Sequence, residues 1–554
     1  MDACNQHKGL LASGFGVMAG ATLVLILLFS LLPNRQYFPD ALIMAYDVET
    51  TPHFLLNPHH PLFPLGPQAV FQILGGLGEG ITALGVMMVW SIIFGIVACC
   101  AMAFALRAAG LKPGTVIAGL ALFAFSNAIW YFSSTANQNS TGLAVQILAL
   151  YAIILGIRKL PACPSAGRII GIGVLTSVAT LGSQANLALL LPMGYLLFAC
   201  HAKAIGKIKN CFLYFFIFIV IGGFMWVYLA HAVLGANTFA DFAKWQRSYV
   251  TDPVYWVRNI SDSLRGSFRG AVEVHLGYAF QPGSIFGGWR EGSEGIGWFK
   301  ELLLKTGQAM VLLFFIIETI RAIIVWVRKD MRNPAQTAGI LVALPIILFS
   351  FVFTPEAVYR RILYLPGILL FIAPIIERDF KLGQPSIRRA WPLALVIVAL
   401  FMTNFSVKFF RESNPANNIF LNEAMELAGR FGSKDKIIYS NAYDGDLRIK
   451  YTRYFTECNV YRAIDVVSTM RANPAELESL FRETLEAGGS IVVHADALYS
   501  AEGLAWENKR YGLDMRPGEL AEFFKAHFIP VDHFMINDKA YIIMKPMPGY
   551  AGGK

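Results

Sequence analysis

Apolar runs long enough to cross a hydrocarbon core recur from Leu10 to about Phe409 and then stop. They predict eleven spans, at 10–33, 80–106, 114–132, 141–157, 169–182, 187–200, 211–235, 301–327, 337–353, 362–376 and 391–409. The two runs beside Ser183-Gln-Ala-Asn186 are each short for a crossing and equally describe one kinked helix. Past residue 411 the period changes. Lys436-Ile-Ile-Tyr-Ser, Ser490-Ile-Val-Val-His494 and Ala540-Tyr-Ile-Ile-Met are short β-type runs, whereas Ala475 to Leu485 and Pro517 to His527 repeat at helical spacing. Strands alternating with helices predict a small α/β domain. The expected architecture is therefore a polytopic α-helical membrane region, 1–410, followed by a soluble α/β domain, 411–554.

Composition agrees: 55% of the 554 residues are hydrophobic and 15% charged, too apolar for an ordinary soluble protein. The first run, Leu10 to Leu32, is long for a signal peptide and no small-residue cleavage site follows it, so it is read as a retained span. With the N-terminus inside, the loops bearing Arg107/Lys112, Arg158/Lys159/Arg168, Lys203/Lys207/Lys209, Arg328/Lys329/Arg332 and Arg378/Lys381/Arg388/Arg389 all fall inside. The connections Ser133 to Asn139 and Ser183 to Asn186 carry no Lys or Arg and fall outside, as the positive-inside rule requires. The tail is then outside, and a bacterial inner membrane fits best, with the N-terminus cytoplasmic and the C-terminal domain periplasmic.

Charge excludes one class of partner. Residues 411–554 carry 17 basic and 20 acidic side chains against +9 for the whole chain, so the positive surplus belongs to the membrane region and its inner loops. No nucleic-acid motif accompanies it. The tail lacks a GxGxxG after a strand and lacks a P-loop, so nothing suggests that it binds a nucleotide. Of the seven cysteines only Cys458 lies outside, where it cannot form an intrachain disulfide, and no spacing resembles a metal cage. Two outer loops remain, 34–79 and 237–300. The first offers short amphipathic helices at Asp40 to Thr50 and Pro67 to Leu77. The second mixes Trp245, Tyr255, Trp256 and Trp289 with Arg247, Arg258, Arg265 and Arg290, which suits either an interfacial belt or a wall for lipid phosphate or sugar.

Candidate chemistry concentrates in the first loop. Tyr37-Phe-Pro-Asp40-Ala-Leu-Ile-Met-Ala-Tyr46-Asp47-Val-Glu49 and Asn57-Pro-His59-His60-Pro-Leu-Phe put carboxylates and imidazoles beside a helix end, where ionisable groups are costly. On pattern alone Asp40 equally suits a helix cap. His59 and His60 suit a turn whose imidazoles bond backbone carbonyls, and two adjacent histidines do not make a metal site. Arg360 and Arg361, in Tyr359-Arg-Arg-Ile-Leu-Tyr364-Leu-Pro366, suit ordinary interfacial snorkelling. Glu318 and Arg321 read as a helical pair that neutralises itself.

The first span followed by a loop with an Asp, a surface helix and the Asn-Pro-His-His-Pro-Leu-Phe-Pro-Leu run resembles the GT-C superfamily of polyprenyl-phosphate-sugar glycosyltransferases. Many spans, a second long outer loop, the late aromatic-arginine segment and a soluble outer tail are similar to that superfamily's layout. Members related to protein O-mannosyltransferases and aminoarabinose transferases carry an Asp-Glu pair in this loop, whereas here Ala41 follows Asp40. The resemblance implies a polyprenyl-phosphate-linked donor, a lipid, glycan or protein acceptor, and catalysis by Asp40 or Asp47. It implies phosphate or sugar contacts from His59, His60, Arg360 and Arg361. Glu49 and Asp47 would orient the acceptor, or bind a divalent cation in those members that use one. A transporter or flippase, and an O-antigen ligase or polymerase, are the competing classes; neither a midplane polar pathway nor repeated halves is visible.

Overall fold

The computed structural model describes residues 20–50, 60–75, 80–200, 203–247, 256–257, 259–277, 297–328, 333–354, 361–382, 387–440, 445–499, 505, 508, 514–516 and 518–547. The chain forms two compact units. One, the helical unit, comprises Met1–Asn34, His53–Thr251 and Tyr255–Ser413; the other, the sheet unit, joins Arg35–Pro52 and Asp252–Val254 to Asn414–Lys554.

In chain order the helices are α1 (Gly20–Leu31), α2 (Pro39–Thr50), α3 (Leu62–Gly75), α4 (Ala83–Ala108), α5 (Pro113–Ala124), α6 (Asn127–Ser133), α7 (Asn139–Ile157) and α8 (Ala166–Gly182). A 3-10 turn, Gln184–Leu189, leads into α9 (Leu190–Ala199). Then α10 (Ala204–Phe218) runs through a π-turn into α11 (Phe224–Leu234), followed by α12 (Phe239–Arg247), α13 (Ile260–His275), α14 (Gly297–Val327), α15 (Pro334–Val352), α16 (Leu365–Phe380) and α17 (Ile387–Val407).

Among the described residues six helices are long and apolar enough to cross a membrane, or seven if α5 and α6, bent by 64°, count as one broken span. The eleven runs read from hydropathy are helical over most of their described residues, but several are too short to count by themselves. The run 114–132 is broken because Ser126 leaves the helical region, with ψ 138°, while its hydroxyl donates back to Leu122 O at 2.6 Å. On α10, α11 and the π-turn between them the side chains of Phe212, Phe216, Ile219, Phe224 and Val227 stand exposed, as a lipid-facing helix requires.

The helical unit's core runs through α4, α7, α8, α15 and α16. Two crossings depend on glycine. A Cβ on Gly182 of α8 would lie 2.8 Å from Gly142 Cα of α7, and one on Gly339 of α15 would lie 2.5 Å from Gly367 O of α16. The Glu318–Arg321 pair reaches further than its spacing implies, because Arg321 also bonds Asp379 of α16 at 3.1 Å and so ties α14 to that helix.

The sheet unit contains α18 (Ile419–Arg430), β1 (Lys436–Tyr439), α19 (Gly445–Phe455), β2 (Asn459–Arg462), α20 (Ala463–Ala472), α21 (Pro474–Glu486), β3 (Ile491–His494), α22 (Ala495–Tyr499), α23 (Glu519–His527), β4 (Phe528–Ile536) and β5 (Lys539–Pro546). The sheet order is β2-β1-β3-β5-β4, with β2, β1 and β3 parallel and β5 antiparallel to both β3 and β4. Every residue of β1 and β3 is buried, which is why both read as continuous apolar runs. Ile438, Ile491 and Val493 face one apolar layer with Phe481 and Phe524, while Ile437, Tyr439, Val492 and Tyr541 face the other.

Candidate functional site

The carboxylates expected from the first loop stand on α2, within the sheet unit. Ala41, Leu42, Met44, Ala45 and Val48 are buried at helical spacing, and that stripe seats α2 against α19. Asp40 lies in the first turn of α2; the N–H groups of Ala41 and Leu42 bond Phe38 O, so Phe38 holds the cap position that the sequence offered to Asp40. The Asp40 carboxylate is instead met by Lys450 of α19, whose Nζ donates to Oδ1 at 3.3 Å. Among the described residues that is its single side-chain bond, and 48% of the side chain is exposed.

Lys450 is itself 14% exposed and sits between two carboxylates, since Asp446, one turn earlier, accepts from Nζ at 2.8 Å. Burial alone would lower its pKa, but Asp40 and Asp446 together outweigh that and hold it above the usual lysine value. Further along α2, Tyr454 of α19 donates its hydroxyl to Glu49 Oε1 at 3.0 Å, and Asp47 is half-buried. The chain leading into α2 is fixed in the same way. Tyr451 OH donates to Tyr37 O at 3.2 Å, and Asn418 Nδ2 donates to Arg35 O at 2.6 Å.

The opposite side of α19 faces the sheet. Thr452 Oγ1 and Tyr439 OH lie 2.9 Å apart; Arg448 pairs with buried Glu423 of α18, which also accepts from Tyr541. His494, at the end of β3, packs its ring against Tyr439 and Tyr541. Burial pushes its pKa down to about 4, with Arg448 and Lys539 acting in the same direction and Asp496 opposing.

The remaining expected residues belong to the helical unit or lie outside the described residues, as His59 and Arg360 do. His60 is 8% exposed, and its Nδ1 stands 2.9 Å from Gly182 O, the carbonyl carried by the tight α7–α8 crossing. This is the imidazole-to-carbonyl bond that the turn reading anticipated. Arg361 is 2% exposed and reaches the Tyr364 hydroxyl, so it is enclosed by protein and does not snorkel along a lipid-facing surface.

Sequence reading missed two features. Lys450, Tyr451 and Tyr454 carry no motif, and 410 residues separate Lys450 from its partner Asp40. The connection Ser133 to Asn139, read as a short outer loop, is buried throughout; Thr135 Oγ1, Asn137 Nδ2, Gln138 Oε1 and Asn139 Nδ2 make no hydrogen bond among the described residues. Its lack of charge hid how much polar hydrogen-bonding capacity it encloses.

Among the described residues a divalent cation finds no ready donor set. Among the described residues no group of three His, Cys, Asp or Glu side chains is placed to hold a metal, and the α2 carboxylates spend oxygens on Lys450 and Tyr454.

No family model and no curated protein sequence matches the chain. Solved structures do. ArnT from Cupriavidus metallidurans in the apo state superposes with a TM-score of 0.57 at 12% identity, covering 98% of this chain and 100% of that one. The same protein bound to undecaprenyl phosphate gives 0.52 at 11%, covering 98% and 99%. The oligosaccharyltransferase of Archaeoglobus fulgidus complexed with Zn and sulfate gives 0.52 at 11%, covering 94% of this chain and 72% of that one. Mycobacterial arabinofuranosyltransferase AftD gives 0.50 at 14%, covering 96% and 40%. The likeness shows the fold these chains share, the GT-C fold, and the long apolar helices make the chain an integral membrane protein.

Proposed function

We propose that this chain, built on the GT-C fold, is a membrane glycosyltransferase that moves a sugar from a polyprenyl-phosphate carrier to an acceptor hydroxyl at the outer membrane face. The observation that carries the reading is the Asp40 carboxylate, anchored through Oδ1 by Lys450 and left half exposed. A base must be fixed in position yet able to reach a proton, and an anchored, half-exposed carboxylate meets both conditions. The undecaprenyl phosphate held by ArnT, whose fold covers nearly the whole of this chain, supports the choice of donor.

In the proposed reaction the acceptor O–H proton passes to Asp40 as its oxygen bonds the anomeric carbon. The bond from that carbon to the phosphate oxygen breaks, and polyprenyl phosphate leaves with the electron pair. A guanidinium stabilises the departing anion by charge-assisted hydrogen bonds, the part assigned to Arg361 with Arg360. His60, its Nδ1 directed to the Gly182 carbonyl, is assigned to the phosphate or sugar, and His59 shares that part. Asp47 is the second candidate base, and Glu49 orients the acceptor, which is a lipid, a glycan or a protein.

The same reading takes all eleven apolar runs as crossings, with the N-terminus cytoplasmic and residues 411–554 periplasmic, in a bacterial inner membrane. The test is turnover of undecaprenyl phosphates carrying tritiated hexoses or pentoses by the purified full chain, read as free undecaprenyl phosphate. Asp40→Asn is expected to lower the rate by about 10²–10⁴-fold. Wild-type turnover in that variant would sink the assignment of the base, and if Asp47→Asn alone were inactive the role would pass to Asp47. Carriage of intact donor across proteoliposomes without cleavage would make the protein a transporter.

A further inference from the structure

We infer that Lys450, from the C-terminal α19, is a positioning residue for the reaction, holding the Asp40 carboxylate in its working orientation. This rests on the Asp40 reading. The sequence assigns Lys450 nothing, and it belongs to a part of the chain without catalytic motifs.

Three observations carry it. The ammonium contacts Asp40 Oδ1 at 3.3 Å and Asp446 Oδ2 at 2.8 Å, so its direction is fixed from its own helix before it meets α2. It is 14% exposed, whereas Asp40 is 48% exposed; the cation is the enclosed member of the pair. Burying a lysine between carboxylates costs desolvation that an apolar side chain in the same place would avoid, so packing alone does not account for its presence. An aspartate in the first turn of a helix turns about two side-chain bonds and swings its oxygens through several positions. An ammonium pinned from the side selects one of them, in a carboxylate that stays half exposed. The contacts on either side are backbone and hydroxyl bonds that seat α2 as a body: Tyr451 to Tyr37 O and Tyr454 to Glu49. Lys450 is the one group of α19 bonded to Asp40 itself.

The predicted signature is a split between rate and binding. In the purified full chain, with the tritiated undecaprenyl phosphate sugar that the wild type turns over, Lys450→Met is expected to lower kcat by about 10–100-fold and leave KM within about twofold, the scale of a misplaced catalytic group. Lys450→Arg, whose guanidinium can bridge the same two carboxylates, should recover kcat to within about fivefold of wild type. Thermal unfolding in detergent reports whether the variants are folded. If Lys450→Met is not recovered folded, Lys450→Gln, polar but uncharged and one atom shorter, takes its place with the same expected loss. Wild-type kcat in Lys450→Met or Lys450→Gln while Asp40→Asn is inactive would overturn the inference and leave the base assignment standing. An equal rise in KM, or failure of Lys450→Arg to recover kcat, would reduce Lys450 to a structural contact. Activity in Asp40→Asn would remove the reading beneath it.

Discussion

At the scale of single residues, the sheet unit's polar groups make its stability depend on pH in a direction that can be worked out. His494 is neutral in the fold, with its pKa lowered to about 4, while the unfolded chain titrates near 6.5. Between those values the unfolded state binds the extra proton, so stability contributed by this residue is intact above about pH 6.5 and is lost as pH falls towards 4. The shift corresponds to roughly 3 kcal/mol at its fullest. Hydrogen exchange of β3 and β5 in the full chain, corrected for the intrinsic rate, should show opening that becomes easier across that interval. His494→Phe, which keeps a ring against Tyr439 and Tyr541, should flatten the dependence. Asp40→Asn, by contrast, should cost less than about 1 kcal/mol, because Asp446 still neutralises Lys450 and Asp40 is half exposed.

At the scale of elements, the α7–α8 crossing is held by absence of side chain. Gly182→Ala places a methyl 2.8 Å from Gly142 Cα, a collision with backbone that only separation of the helices relieves. The expected cost is about 1–3 kcal/mol, read as a lower unfolding temperature in detergent. Because Gly182 O holds His60, donor turnover should fall in the same variant. The sequence discloses elements unevenly, for reasons visible here. The strands β1 and β3 are legible because burial on both faces makes them unbroken apolar runs. Strand β2 is only Asn-Val-Tyr-Arg, and β4 contains Pro530 beside a bulge and is largely exposed, so neither shows a period. The carboxylates of the first loop are legible from their setting, but their partners on α19 are not, since no local pattern links residues so far apart in sequence.

At the scale of the whole molecule, the odd number of proposed crossings makes a prediction about sides. A phosphatase that requires an oxidising compartment, fused after Lys554, should be active in a bacterial host, and the same enzyme fused within the loop bearing Arg158 and Lys159 should be silent. Six crossings, or any even number, would reverse the first result. The long-range bonds of the first loop also set an order of events during synthesis. Arg35, Tyr37 and Asp40 leave the ribosome early, yet the groups that bind them, Asn418, Tyr451 and Lys450, lie 383 to 414 residues later. At about 5–20 residues per second they wait tens of seconds for those partners. A nascent chain thus enters the membrane with Asp40, the proposed base, still unanchored, and gains its Lys450 contact only after a further 410 residues have been made.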